Sequence, residues 1–247
     1  MDPEYEKFLN HIRYWPASQS LLDHIQKGKV VCSTGEPSDD EVVDTILANS
    51  DATVLTVSKR AANRVNNLVI TSIFSECNVL QTLQCDCEDY KNMRVMITRN
   101  RDKANGVVNG QTAKILCVEK ATVFLELGNG KVVNTYPVTY QSEKGRRTCY
   151  HFMPAYALKI TKSQGQNLDK VVIWFDCPTV PRGSAYVALS RIKRQTDLIL
   201  LTKILIRVVR VLLRYPPALS QCDILCQTKI GLQSLATMSL PCLRAMA

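Results

Sequence analysis

Nowhere in the 247 residues is there a phosphate-binding loop of the form G-x-x-x-x-G-K followed by Ser or Thr; Gly28-Lys29 and Gly130-Lys131 each lack the glycine five positions earlier. The paired acids Asp40-Glu41 are not expected to form an acidic strand end of the kind that holds Mg²⁺. Asp40-Glu41 follows Pro37-Ser38-Asp39, which reads as a loop entering the acidic first turn of a helix. The ten cysteines form no metal or disulfide framework, because Cys85-Asp-Cys87 and Cys222-x-x-x-Cys226 have no partner pair at zinc-finger spacing. With no secretory signal at the N-terminus, they point to a reducing intracellular compartment, and most are expected to be buried free thiols. A bilayer-length apolar run is missing too: Arg207, Arg210 and Arg214 interrupt the segment KILIRVVRVLLRY, so no membrane partner is expected.

What is present is charge of uneven distribution. Residues 1–90 carry 7 Lys plus Arg against 14 Asp plus Glu, whereas residues 91–247 carry 24 against 8. Such asymmetry marks a face for a polyanion. The basic residues gather at Arg94, Arg99, Arg101 and Lys103, at Lys144, Arg146 and Arg147, and at Lys159, Lys162, Arg191, Lys193 and Arg194. A generally basic, soluble surface would show the same totals, so charge alone does not define function.

The first ninety residues read as alternating helices and strands. EYEKFLNHIRYW places Phe8, Leu9, Ile12 and Trp15 at helical spacing and stops at Pro16; Ser18 to Ile25 forms a second helix closed by Gly28. Ser38 with Glu41 three positions on forms a capping box before DDEVVDTILA, and Ser58 caps a helix from Lys59 to Phe74 after a strand at Ala52 to Val57. This pattern predicts a mostly parallel sheet covered on both faces. Residues 93–150 read instead as a small all-β module, with a type I′ turn expected at Asn109-Gly110 and a second hairpin turn at Gly128-Asn129-Gly130. KILIRVVRVLLRY sets three arginines at helical spacing as a basic amphipathic helix, and residues 218–247 have no clear period.

Two turns between residues 154 and 194 carry the chemistry. Lys162-Ser163-Gln164-Gly165 follows a short apolar run and precedes the strand Val171 to Phe175. It offers a cation, neutral hydrogen-bonding groups and a glycine where a backbone can approach a ligand. The run AYVALSR spaces Tyr186 and Ser190 one helical turn apart and sets Arg191 at the helix end, where its five-donor fork suits a phosphate. Tyr150, His151 and Tyr156 flank the first turn. Packing explains most of them, and His151 is the one placed to contact a base.

In this order the two segments, KITKSQG (159–165) and YVALSR (186–191), resemble the last two signature motifs of superfamily 1 DNA helicases of the RecD and Pif type. YVALSR is intact; Lys159 and Thr161 stand where the family usually has threonine and histidine. DPEYEKFLNHIR, ATVLTVSKRAANRVNN and MRVMITRNRDKANGVVNGQTAKIL extend the resemblance over residues 1–202.

The resemblance implies a RecA-like α/β unit, the second of two in such motors. Residues 1–92 and 151–202 would form it, a small β-barrel at 93–150 would be inserted in it, and a divergent tail would occupy 203–247. It implies ATP and Mg²⁺ in the intact family, none bound by this chain alone, and movement along single-stranded DNA in the 5′ to 3′ direction. By residue, it implies Arg191 as the catalytic arginine finger and Gln164 and Gly165 as nucleotide-coupling. Lys159, Thr161, Lys162, Ser163, Arg99, Asn100 and His151 are the expected DNA contacts, and no metal site is expected. The expected partners are single-stranded DNA and a P-loop-containing half, and the expected location is the nucleus or another DNA-containing compartment. The alternative is a noncatalytic nucleic-acid-binding remnant, or a truncated gene product, that keeps the basic face without the motor.

Overall fold

The computed structural model describes residues 2–209, except 34, 78, 84–86, 105, 143 and 144. Helix α1 (Pro3–Tyr14) is capped by the Asp2 carboxylate, which accepts from the amides of Glu4 and Tyr5; Ser18 caps α2 (Gln19–Gln26). Tyr5, Phe8, Leu9 and Ile12 form the buried stripe of α1. Strand β1 (Val30–Cys32) leads to α3 (Asp39–Leu47), where the expected capping box is present: the Glu41 amide donates to Ser38 Oγ and the Ser38 amide to Glu41. Strand β2 (Thr53–Thr56) is buried throughout, and Ser58 caps α4 (Lys59–Phe74) as expected.

The chain then turns antiparallel. A ribbon of β3 (Gln81–Leu83) and β4 (Cys87–Asp89) precedes β5 (Arg94–Ile97), β6 (Thr112–Glu119), β7 (Thr122–Leu127), β8 (Val132–Thr135), β9 (Val138–Ser142), β10 (Gly145–Cys149) and β11 (Phe152–Pro154). It returns through β12 (Ala157–Lys159), a 3-10 turn (Ile160–Lys162), β13 (Val171–Trp174), α5 (Ser184–Leu189) and β14 (Leu198–Thr202).

Two architectures result. Strands β1-β14-β13-β2-β12, in that order, make an all-parallel sheet. Strands β11-β5-β6-β7-β8 make an antiparallel sheet, and β9 pairs with β10 as a ribbon. Since β2 and β12 are neighbours in the parallel sheet, the antiparallel strands are an insertion between them in sequence.

Strand alternation divides the core. Val54, Ala157, Val172 and Trp174 face a cluster with α3, α4 and the antiparallel module; Leu55, Leu158, Val171 and Ile173 face a cluster with α1, α2 and α5. Full burial of each such aliphatic side chain contributes about 1.5–3 kcal/mol. Edge strand β12 has lost one ladder neighbour, and Asn66 of α4 replaces it: its Nδ2 donates to the Ala157 carbonyl at 2.9 Å and its Oδ1 accepts from the Ala157 amide at 2.8 Å. At the end of β13, Asp176 Oδ1 accepts from the amides of Val57 at 2.7 Å and Ser58 at 3.1 Å, which ties the sheet to the start of α4.

Two local expectations are corrected. Asn109-Gly110 is not a type I′ turn, because Gly110 has φ +91° but Asn109 is not among the residues of positive φ. Residues 98–111 form a longer loop whose pairing runs through Asp102 and Val107. The two-residue turn with positive φ at both positions is Lys120-Ala121 (φ +46° and +66°), joining β6 to β7. Neither residue favours that conformation; the Ala121 carbonyl is held by the Tyr150 hydroxyl at 2.7 Å. The other correction is at residue 203, where no amphipathic helix begins: the chain makes one 3-10 turn, Ile206–Val208, with Leu205 and Ile206 exposed. Arg210, Arg214, Lys144, Cys85, Cys222, Cys226 and residues 218–247 lie outside the described residues.

Candidate nucleic-acid and nucleotide interface

The first motif turn is built on Ile160, whose buried side chain fixes the start of a tight loop. The Ser163 amide and hydroxyl both donate to the Ile160 carbonyl, at 3.1 and 2.9 Å, and the Gln166 amide donates back to the Ser163 carbonyl at 3.0 Å. Gly165 adopts φ +81°, and a Cβ there would meet nothing within 4 Å, so the turn needs glycine for its backbone while presenting an open surface. Lys159, Thr161, Lys162, Gln164 and Gly165 are exposed. Ser163 is fully buried, its hydroxyl occupied by Ile160, so its side chain shapes the loop from beneath.

The second motif closes over this loop. Helix α5 follows its N-cap Gly183 (φ +79°) and ends at Leu189, two residues before Arg191. Its position is set from α1: the buried Tyr5 hydroxyl donates to the Leu189 carbonyl at 2.7 Å, and burial pushes that phenol's pKa well above its ordinary value. Arg191 folds back. Its Nε donates to the Val187 carbonyl at 2.8 Å, Nη1 to the carbonyls of Gln166 at 2.9 Å and Ser163 at 3.3 Å, and Nη2 to Ser190 Oγ at 2.8 Å. Four of its five N–H groups are thus accounted for, with one on Nη2 left over. Burial draws the guanidinium pKa down and nearby Tyr186 opposes that shift. Tyr186 also lies under the Arg13 guanidinium, 5.9 Å from ring centroid to Cζ.

Gln166 joins this loop to the antiparallel module. Its Nε2 lies 3.3 Å from the Gly110 carbonyl and 3.7 Å from Met96 Sδ. The adjoining Asn109 amide donates to Asn100 Oδ1 at 2.8 Å, so Asn100 braces the same loop. Nearby, Arg99 donates to the Tyr140 hydroxyl and its guanidinium lies over that ring at 5.6 Å; the hydroxyl is 3.0 Å from Nε2 of the buried His151. The imidazole pKa is lowered first by burial and then by the cations of Arg99 and Arg101.

The expected site residues therefore fall into two sets: Lys159, Thr161 to Gly165 and Arg191 in one, and Arg99, Asn100 and His151 in the other. Gln166 and Gly110 are the bridge that motif reading did not supply; the signal was the glycine of Asn109-Gly110, read as a hairpin. Tyr140 and Tyr136 were also missed. They alternate with the arginine pair only in space, after the strands fold. Among the described residues, no group of three or more His, Cys, Asp or Glu could hold a metal ion, and no helix is long and apolar enough to cross a membrane.

A parallel α/β sheet interrupted in sequence by an antiparallel module is a RecA-like fold. Solved structures of Pif1 helicases are among those that share it. That of Candida albicans superposes with a TM-score of 0.64 at 18% identity, covering 93% of this chain and 58% of that one. The Bacteroides enzyme in complex with ADP-AlF3 and ssDNA gives 0.62 at 19% identity, covering 95% and 55%. In sequence, the chain is 30% identical over 132 residues to the ATP-dependent DNA helicase PIF1 of Xenopus laevis, a match covering 50% of this chain and 20% of that protein. The chain thus spans about half the length of the solved helicases it matches. No protein-family model matches it.

Proposed function

We propose that this chain is the second, C-terminal RecA-like half of a 5′ to 3′ DNA helicase, binding single-stranded DNA and offering Arg191 to a nucleotide held by a P-loop-containing half. The observation that carries the reading is the hydrogen bonding of Arg191 to the carbonyls of Ser163 and Gln166. One guanidinium is attached to the loop that presents Lys162 and Gln164, so a change at the nucleotide is felt at the strand without an intervening element.

The chemistry divides accordingly. Lys159 and Lys162 are exposed cations with no ion pair among the described residues, suited to phosphodiester oxygens. Thr161 and Gln164 add neutral donors, and Gly165 lets the backbone approach. Ser163 acts by holding the loop, not by touching the strand. ATP with Mg²⁺ would supply the hydrolysable phosphoanhydride. Toward its γ-phosphate Arg191 would use its remaining N–H and exchange carbonyl partners, placing positive charge where negative charge develops. The likeness to Pif1 helicases supports a place in the nucleus or another DNA-containing compartment.

Binding of the purified chain to fluorescent single-stranded DNA across a salt series tests this. Affinity is expected to fall steeply with salt, and Lys162→Ala to weaken it while lowering the slope by about one ion. A folded chain that binds no strand at low salt, or a Lys162→Ala variant indistinguishable from the parent, would sink the reading.

A further inference from the structure

The loop after β5 brings two arginines against Tyr136 of the β8–β9 connection and Tyr140 of β9. Arg101 lies over Tyr136, with Cζ 3.8 Å from the ring centroid, and Arg99 lies over Tyr140 at 5.6 Å. Each pair is anchored from below. Arg101 Nη1 donates to Oγ1 of the buried Thr135 at 3.1 Å, and Tyr140 is tied to His151. Tyr136 is nevertheless 54% exposed, the most exposed large hydrophobic residue described. A ring held by a guanidinium and still more than half exposed is prepared for a second planar group.

Charge selects the occupant. Residues 99–103 supply Arg99, Arg101 and Lys103 against the single carboxylate of Asp102, and exposed Arg146 lies on the neighbouring strand β10. Cations interleaved with an accessible aromatic face suit a polyanion that carries flat, apolar groups.

We propose that Tyr136, backed by Arg101, is a base-stacking platform for single-stranded DNA on the antiparallel module. It rests on the strand-binding reading above and extends it from phosphate contacts to the bases. Arg101 holds the ring so that little freedom is lost when a base stacks, and Arg99 and Lys103 flank the adjoining phosphates. The contact tolerates any base, since every base has a π-face.

The test compares two labelled strands of equal length and charge, an oligothymidylate and its abasic counterpart, with an oligouridylate as the RNA control. The intact chain is expected to bind the thymidylate on the order of fivefold or more tighter than the abasic strand. Tyr136→Ala should abolish that preference and leave abasic binding and the salt slope unchanged, while Tyr136→Phe and Tyr136→Trp keep it. Equal binding of both strands by the parent, or an equal loss on both from Tyr136→Ala, overturns the platform and leaves the phosphate reading standing. Tighter oligouridylate binding overturns the assignment to DNA. Absence of binding to any strand removes both. Tyr136 is exposed, so its variants are expected to unfold at the parent temperature.

Discussion

Arg191 donates to the main-chain carbonyl of Gln166 at 2.9 Å, and the side chain of Gln166 reaches the carbonyl of Gly110 at 3.3 Å. Through one residue, the YVALSR segment is attached to a loop of the inserted module. The geometry depends on a planar fork serving carbonyls that point in different directions, which a point charge cannot reproduce.

Arg191→Lys is therefore not a conservative change. The ammonium can keep one of the carbonyl partners but not all, and the expected loss is about 1–2 kcal/mol. It should appear as a lower urea midpoint with an unchanged m-value, accompanied by faster amide exchange at Gln166 and Leu168, whose N–H donates to the Arg191 carbonyl at 2.9 Å. A variant with parent stability and exchange would show that the fork does not brace the loop.

Asn66 makes a sharper prediction about the sheet edge. Its amide replaces a missing strand for Ala157, in a buried setting where no water can substitute. Asn66→Leu leaves both the N–H and the carbonyl of Ala157 unsatisfied, a loss of about 2–4 kcal/mol. Asn66→Asp keeps the acceptor, and only its protonated carboxyl supplies an O–H donor for the Ala157 carbonyl. Its deficit should therefore be smaller than that of Leu at acidic pH and at least as large as that of Leu when the carboxyl is ionised. Chemical denaturation at two pH values separates these outcomes.

His151 gives the module a pH dependence of defined sign. Arg99 donates to the Tyr140 oxygen, and with Nε2 of His151 unprotonated the Tyr140 hydroxyl donates to it. Protonation of the imidazole would turn that acceptor into a donor and add a cation beside Arg99 and Arg101. The folded pKa thus lies below 6.5, so between the two values the unfolded chain binds more protons. The stability contribution is present above pH 6.5 and is lost as pH falls from there toward the folded pKa. Urea midpoints measured from mildly alkaline to mildly acidic pH should decline over that window in the parent, with a smaller decline in His151→Gln. Equal declines would assign the effect to other groups.

The sequence made the periodic and capped elements legible because their determinants are local. Ser38 with Glu41, Ser58, and the apolar spacing of α1 act within one or two turns of chain, and each is found where expected. The motif turns were legible for the same reason, as contiguous residue types. Contacts between segments distant in sequence were not. Nothing near Ser163 signals that its hydroxyl is buried, and no pattern pairs Arg101 with Tyr136 or Asp176 with the amides of Val57 and Ser58. Asn109-Gly110 was misread because its dipeptide chemistry matches a tight hairpin, while the strands it was expected to join are separated by a longer loop with its own bridge.

Gly110 lets backbone strain and steric contact be told apart. Its φ of +91° is unfavourable for any other residue, and an added Cβ would lie 2.7 Å from Gln166 Nε2. The nearby atom is the end of a flexible side chain, which can swing away at the loss of one long hydrogen bond. The backbone cannot, since the Gly110 amide donates to the Ile97 carbonyl at 2.8 Å and fixes the loop on β5. Gly110→Ala should therefore lose about 1–2 kcal/mol from conformation, with a smaller steric part. In a double-mutant cycle with Gln166→Ala, the coupling should be less than about 1 kcal/mol, and most of the loss should persist in the double variant. Full rescue by Gln166→Ala would mean that contact between the loops, not the left-handed backbone, is what requires glycine at this position.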